Sequence, residues 1–162
     1  MGKPADAQLI SESVLGLDLT KEECERLSEI IKHKSISAGE ILFDSGDRDG
    51  CLYILVEGKL ELTKNMGMGK DMNIATLKPG SMLGEMSFID GKPHNLKAKA
   101  LKDSETLVLE RTEFESFVQE QPMLTYHIMR AIIRYAHTIQ RQQSDQLMDM
   151  HRMVQNEYTA QY

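Results

Sequence analysis

Between Gly39 and Glu110 the chain is punctuated by turn chemistry at short intervals, and this constrains the fold more than any other feature. Gly46-Asp47, Glu57-Gly58, Gly67 to Lys70, Lys78-Pro79-Gly80, Gly91-Lys92-Pro93 and Lys102-Asp103 place Gly, Pro or Asp where a chain can reverse. The stretches between them are Glu40 to Phe43, Cys51 to Val56, Lys59 to Thr63, Asn73 to Leu77, Leu96 to Leu101 and Glu105 to Leu109. Each is too short for a stable helix and reads as a strand. Many short strands at about 8–12 residue spacing predict a sandwich or barrel, with a sheet from roughly Ile36 to Leu109.

The flanks have a different texture. From about Ala5 to His33 the spacing is helical. Thr20 followed by Glu22 and Glu23 is a helix start, and Cys24, Leu27, Ile30 and Ile31 share a face. After Arg111, Thr112 is placed to cap a helix carrying Phe114, Phe117 and Val118, and Pro122 closes it or opens the next. From Met123 onward there is neither Gly nor Pro. Leu124, Ile128, Ala131, Ile132, Tyr135 and Ile139 step by threes and fours, and Leu147, Met150 and Val154 resume the stripe. One long amphipathic helix is expected, fraying toward Tyr162. The chain thus divides into an N-terminal helical segment (1–34), a β core (35–110) and C-terminal helices (111–162).

The long helix outruns the small β core, so part of its stripe needs a cover. A second copy of the same helix is the simplest one; folding back on its own sheet is the other. Met66, Met68 and Met72 border a Gly-rich hairpin and read as its mobile tip, or as a Met-rich binding surface.

At 162 residues and 41% apolar composition, the chain can hold a core without disulfides or metal. Cys24 and Cys51 are far apart and read as buried, reduced thiols. No apolar run reaches about 18 residues, and MGKPADAQLI has no secretory core, so a cytoplasmic location is expected. His33, His94, His127, His137 and His151 do not pair at metal-liganding spacing, and no cupin-like cluster is present; no enzyme, metal or cofactor is expected.

Gly39-Glu40-Ile41-Leu42-Phe43, Gly46-Asp47, Leu52 to Gly58 and Leu77-Lys78-Pro79-Gly80, followed by Leu83-Gly84-Glu85-Met86-Ser87-Phe88, form an ordered set. In this order and spacing the chain resembles the cyclic nucleotide-binding domain, the sensor domain of catabolite activators, protein kinase A regulatory subunits and cyclic nucleotide-gated channels. The resemblance covers roughly Leu15 to Arg141. It implies a mainly β fold with flanking α: a jelly-roll-type β-roll, an N-terminal helical piece and two C-terminal helices, the last one long.

The resemblance also implies a ligand, cAMP or cGMP, and a set of contacts. A Gly-containing turn at Gly84 lets backbone N–H groups approach a cyclic phosphate. A short helix from Met86 or Ser87 adds its positive end. Glu85 matches the family glutamate that accepts the ribose 2′-OH, and Thr138 on the long helix joins the candidate contacts. The family places an arginine about nine residues after the glutamate, as a two-pronged phosphate partner; here His94 stands there, followed by Asn95. An imidazole has an unperturbed pKa near 6.5 and lacks the planar fork, so weakened or altered ligand binding is expected. Asn95 offers an amide and Lys92 lies nearby in the turn. Lys97 and Lys99 alternate with Leu96, Ala98 and Ala100 and are expected to face solvent.

The family's bacterial activators continue into a winged helix-turn-helix. The residues from Pro122 onward carry Arg130, Arg134, Arg141 and Arg152 against Asp145, Asp149 and Glu157, with no basic recognition helix, and no further domain is expected after the long helix. Direct DNA binding is not expected. The reading is a stand-alone regulatory sensor, acting on a protein partner the sequence does not name; the alternative is a ligand-independent interaction and dimerisation module on the same fold.

Overall fold

Cys51 to Leu55 is apolar at every position, as a strand must be when both of its faces are covered. In the computed structural model, which describes residues 3–159, this segment lies at the centre of the sheet. The strands are β1 (Lys3–Pro4), β2 (Lys32–Ile36), β3 (Ile41–Phe43), β4 (Cys51–Asn65), β5 (Asp71–Leu77), β6 (Met82–Leu83) and β7 (Lys97–Glu110). The helices are α1 (Ala7–Glu12), α2 (Lys21–Leu27), α3 (Glu85–Asp90), α4 (Arg111–Glu120) and α5 (Pro122–Thr159), with a 3-10 turn at Gly16–Asp18. The sheet runs β1-β2-β7-β4-β5, with β3 added to β7 and β6 to β4, and all pairs are antiparallel. The architecture is the expected mainly β roll with flanking helices.

Period-2 alternation sorts the central strands between two cores. Leu52, Ile54, Leu107 and Leu109 pack under the helices with Ile10, Leu27, Phe88, Phe114, Leu124, Ile128 and Ile132. Cys51, Tyr53, Leu55 and Val108 turn into the roll, with Ile36, Phe43, Leu60, Leu83 and Ala98. Both cysteines are free and buried. Among the described residues no helix is long and apolar enough to cross a membrane.

Several sequence expectations are corrected. Glu57-Gly58 and Lys102-Asp103 are not turns: they lie inside β4 and β7, which pair from Cys51↔Glu110 to Thr63↔Lys97. The register shifts between Leu55 and Leu60 absorb the irregularity as bulges. Gly58 has φ +105°, and a Cβ there would meet the Ser104 hydroxyl oxygen at 2.1 Å. The glycine serves close strand approach rather than reversal. The N-terminal region is not helical throughout, because β1 and β2 pair with each other and β2 continues onto β7 (Lys32↔Val108). Helix α2 ends at Leu27, so Ile30 and Ile31 are buried beyond it rather than on it. Thr112 does not cap α4; Glu110 is the N-cap residue and Thr112 lies within the first turn.

Thr20 does cap α2, in a reciprocal box: its hydroxyl accepts from the Glu23 N–H and the Glu23 carboxylate accepts from the Thr20 N–H. Pro122 opens α5, which runs for 38 residues. Its Leu124, Ile128, Ala131 and Ile132 are buried, whereas Leu147, Met150 and Val154 are exposed. The expected fraying toward Tyr162 lies outside the described residues.

Candidate functional site

The turn after β6 carries the motif. Gly84 is the N-cap of α3 with φ +76°, a left-handed conformation that disfavours side chains. A Cβ added there would meet the Cys51 carbonyl oxygen at 2.5 Å, and His94 Cε1 and the Tyr53 ring at 3.3 Å. The space over this glycine is therefore occupied by the rings of His94 and Tyr53. Glu85 is half-buried on the first turn of α3, one residue earlier than the expected helix start, and Met86 is exposed. Ser87 is buried, and its hydroxyl has no hydrogen-bond partner among the described residues.

His94 is buried and held on every side. Its N–H donates to the Asp47 carbonyl (2.9 Å) and its carbonyl accepts from the Gly46 N–H (2.8 Å). Its ring lies flat on Phe43, with centroids 3.8 Å apart and planes at 11°. Its Nε2 is 2.8 Å from Asp49 Oδ1. Asp49 also accepts from the Tyr53 hydroxyl (2.6 Å) and the Cys51 N–H (3.0 Å). Burial alone would raise the Asp49 pKa, but the bonds from Tyr53, Cys51 and His94 outweigh it and hold the carboxyl below its ordinary value. Asp49 is thus a carboxylate at neutral pH. The same surroundings push the Tyr53 phenol far up, through burial first and the bond to Asp49 second. Burial and the Asp49 charge raise the Cys51 thiol to about 11, which leaves it protonated and unreactive.

Gly84, Glu85, Ser87 and His94 therefore lie around one short helix and the start of β4. Asn95 is exposed, and so is Lys92, whose ammonium is 3.8 Å from Asp90. Lys97 and Lys99 are half-buried rather than free in solvent, and Lys97 pairs with Asp71 on β5. Thr138 comes from a different element. It is exposed on α5, with its hydroxyl donating to the Arg134 carbonyl at 3.0 Å.

The link between the cluster and α5 is Tyr135. Its half-buried phenol, pushed up by burial, lies against the Met82 backbone and the Ser81 hydroxyl, just ahead of Gly84. Phe43, Asp49, Tyr53 and Tyr135 are the residues that sequence reasoning did not assign to the site. For Asp49 the one available signal was an acid in the Asp47-Arg48-Asp49-Gly50 turn, which reads as ordinary loop chemistry. Among the described residues no group of His, Cys, Asp and Glu is arranged to hold a metal.

The profile of the cyclic nucleotide-binding domain matches residues 33–121, more than half of the chain and including every residue of this cluster on β4, α3 and the His94 segment. The chain belongs to the cyclic nucleotide-binding domain family. It is 27% identical to the cyclic AMP receptor protein of Thermus thermophilus over 116 residues, 72% of this chain and 54% of that protein. It is 26% identical to the anaerobic regulatory protein of Bacillus subtilis over 147 residues, 90% and 58% of the respective chains. The chain thus spans little more than half the length of either regulator. Among solved structures, a cyclic nucleotide-binding domain from Methylobacillus flagellatus superposes with a TM-score of 0.81 over 88% of this chain and 82% of its own, at 21% identity. The catabolite activator protein of Thermus thermophilus gives 0.67 over 84% and 63%, at 27% identity.

Proposed function

We propose that this domain is a non-catalytic, cytoplasmic regulatory module of the cyclic-nucleotide-sensor type whose anion contact has been replaced. It works as an N-terminal segment (1–34) that carries α1 and α2 between β1 and the start of β2, a sensor core (35–110) and C-terminal helices (111–162), paired with a second copy along the exposed stripe of α5. The observation that carries this reading is the 2.8 Å contact between His94 Nε2 and Asp49. A phosphate approaching His94 meets a carboxylate that already holds its nitrogen, so the second charge repels the ligand and the imidazole is not free to donate.

Gly84, Glu85 and the unpartnered Ser87 hydroxyl retain capacity for a ligand, whereas His94 does not. Each charge-assisted bond lost at such a site weakens binding by about 1.5–3 kcal/mol, which is about tenfold or more in affinity. cAMP and cGMP are therefore expected to bind weakly.

Calorimetric titration of both nucleotides into wild type, His94→Arg and Asp49→Asn/His94→Arg tests this. The single variant should gain little, because Asp49 claims the new guanidinium. The double variant should bind at least about tenfold more tightly, and Glu85→Ala should reverse part of that gain. Tight binding by the wild type would refute the reading. Absence of heat from all three would favour a ligand-independent interaction module, as expected if the rings of His94, Tyr53 and Phe43 have closed the cradle.

A further inference from the structure

On α5, Arg130 and Arg134 stand four residues apart and together hold the carboxylate of Asp18, whose side chain is 1% exposed. Arg130 donates to it through Nε (3.0 Å) and Nη2 (2.9 Å), and Arg134 through Nη2 (2.9 Å). A guanidinium has five N–H donors, so most of those on this pair remain for other acceptors, and both side chains are about half exposed. Seven residues on, the same spacing recurs as His137 and Arg141. Neither has an acid within ion-pair distance among the described residues, and both are exposed.

These four side chains, with Ile133 and Thr138, line one open groove of about 290 Å³. No acidic residue lines it, in a chain whose formal net charge is −6. On a helix of 3.6 residues per turn the groove falls on a different face from the buried Leu124, Ile128 and Ala131, and from the distal stripe of Leu147, Met150 and Val154. Neither the domain's own core nor helix pairing along that stripe covers it.

We propose that this groove docks an acidic peptide segment of a partner protein. The Asp18 carboxylate shows the chemistry that the first arginine pair accepts, and the second pair repeats the spacing with no acid within ion-pair distance among the described residues. From Arg130 to Arg141 the face is about 16 Å long, which matches about five residues of extended peptide. Ile133, half exposed between the arginines, gives such a peptide an apolar contact.

Fluorescence anisotropy with a labelled Glu-Ala-Glu-Ala-Glu peptide and its Gln counterpart, using the full chain, tests the proposal. The Glu peptide should bind and the Gln peptide should not, and binding should fall as salt rises. Arg141→Ala should weaken it about tenfold and His137→Ala about threefold, with unchanged helical circular dichroism since both residues are exposed. Equal binding of the two peptides, or an Arg141→Ala affinity equal to wild type, would overturn it. So would full competition by sub-millimolar inorganic phosphate, which marks a free-anion site. Failure of the Glu peptide to bind, with Arg141→Glu instead shifting sedimentation toward monomer, would overturn it in favour of a second copy, whose Asp145 and Asp149 supply the acids.

Discussion

The turn at Gly84 and the face of α5 near Arg134 are both places where this molecule gathers polar groups, and they are built in opposite ways. Around Gly84 nearly every donor has its acceptor inside the domain: His94, Tyr53 and the Cys51 N–H all converge on Asp49. On the α5 face near Arg134, Asp18 is the only acid among the described residues within ion-pair distance of the arginines, and the groove beyond it is open and lined by no acid. The region that the motif marks has been turned inward, into structure. The region that no motif marks is the one left with unspent charge. Substitutions in the first should therefore be felt by the whole fold, and substitutions in the second by binding alone.

The largest effect is expected at Gly84. Ala there combines a left-handed backbone with a Cβ 2.5 Å from the Cys51 carbonyl oxygen, so urea denaturation should show a loss of about 3 kcal/mol. Gly39→Ala, also at positive φ but with open space around it, should lose about 1 kcal/mol. Equal losses would mean that the turn yields freely and that the cluster is not tightly packed.

Asp49→Asn comes next. It weakens the acceptor shared by three donors and should cost about 2 kcal/mol at pH 7. The sign with pH follows from the lowered Asp49 pKa. The stabilisation is complete above the unfolded aspartate value of about 3.9 and is lost as pH falls through the lower folded value. Denaturant midpoints measured from pH 7 to pH 2 should converge for wild type and variant at the acid end. Parallel curves would show that His94 and Tyr53 do not depend on the Asp49 charge.

Arg141→Ala should move stability by less than about 0.5 kcal/mol, whatever it does to ligands. A larger loss would tie the groove to the core and erase the contrast between the two regions.

The roll, its flanking helices and the long last helix were legible because they rest on local chemistry: spaced turns, a threes-and-fours stripe, a capping box. The segmentation of β4 and β7 was not. Glu57-Gly58 carries the same residues whether the chain reverses or bulges, and only the pairing with Ser104 and Glu105, more than 40 residues away, decides between them. The site shows the same divide. Gly84 and Glu85 are marked by neighbours in sequence. The fate of His94 depends on Phe43 and Asp49, which approach it only through the folded sheet. A histidine at an arginine's place marks a changed ligand contact in the sequence, but that Asp49 and Phe43 hold its ring is seen only in the fold.

The length of α5 has a mechanical consequence. Tyr135 is the last of its residues packed against the helical core, and its phenol lies on Ser81 and Met82 just before the Gly84 turn. From there to Thr159 the helix extends about 36 Å. A tilt of about 5° pivoting at Tyr135 would carry the far end about 3 Å, a full side-chain contact's worth of travel. A shift at the turn too small to alter any bond within the roll would thus be read at the tip as a contact made or broken. The domain carries a lever arm whose base rests on the Gly84 turn.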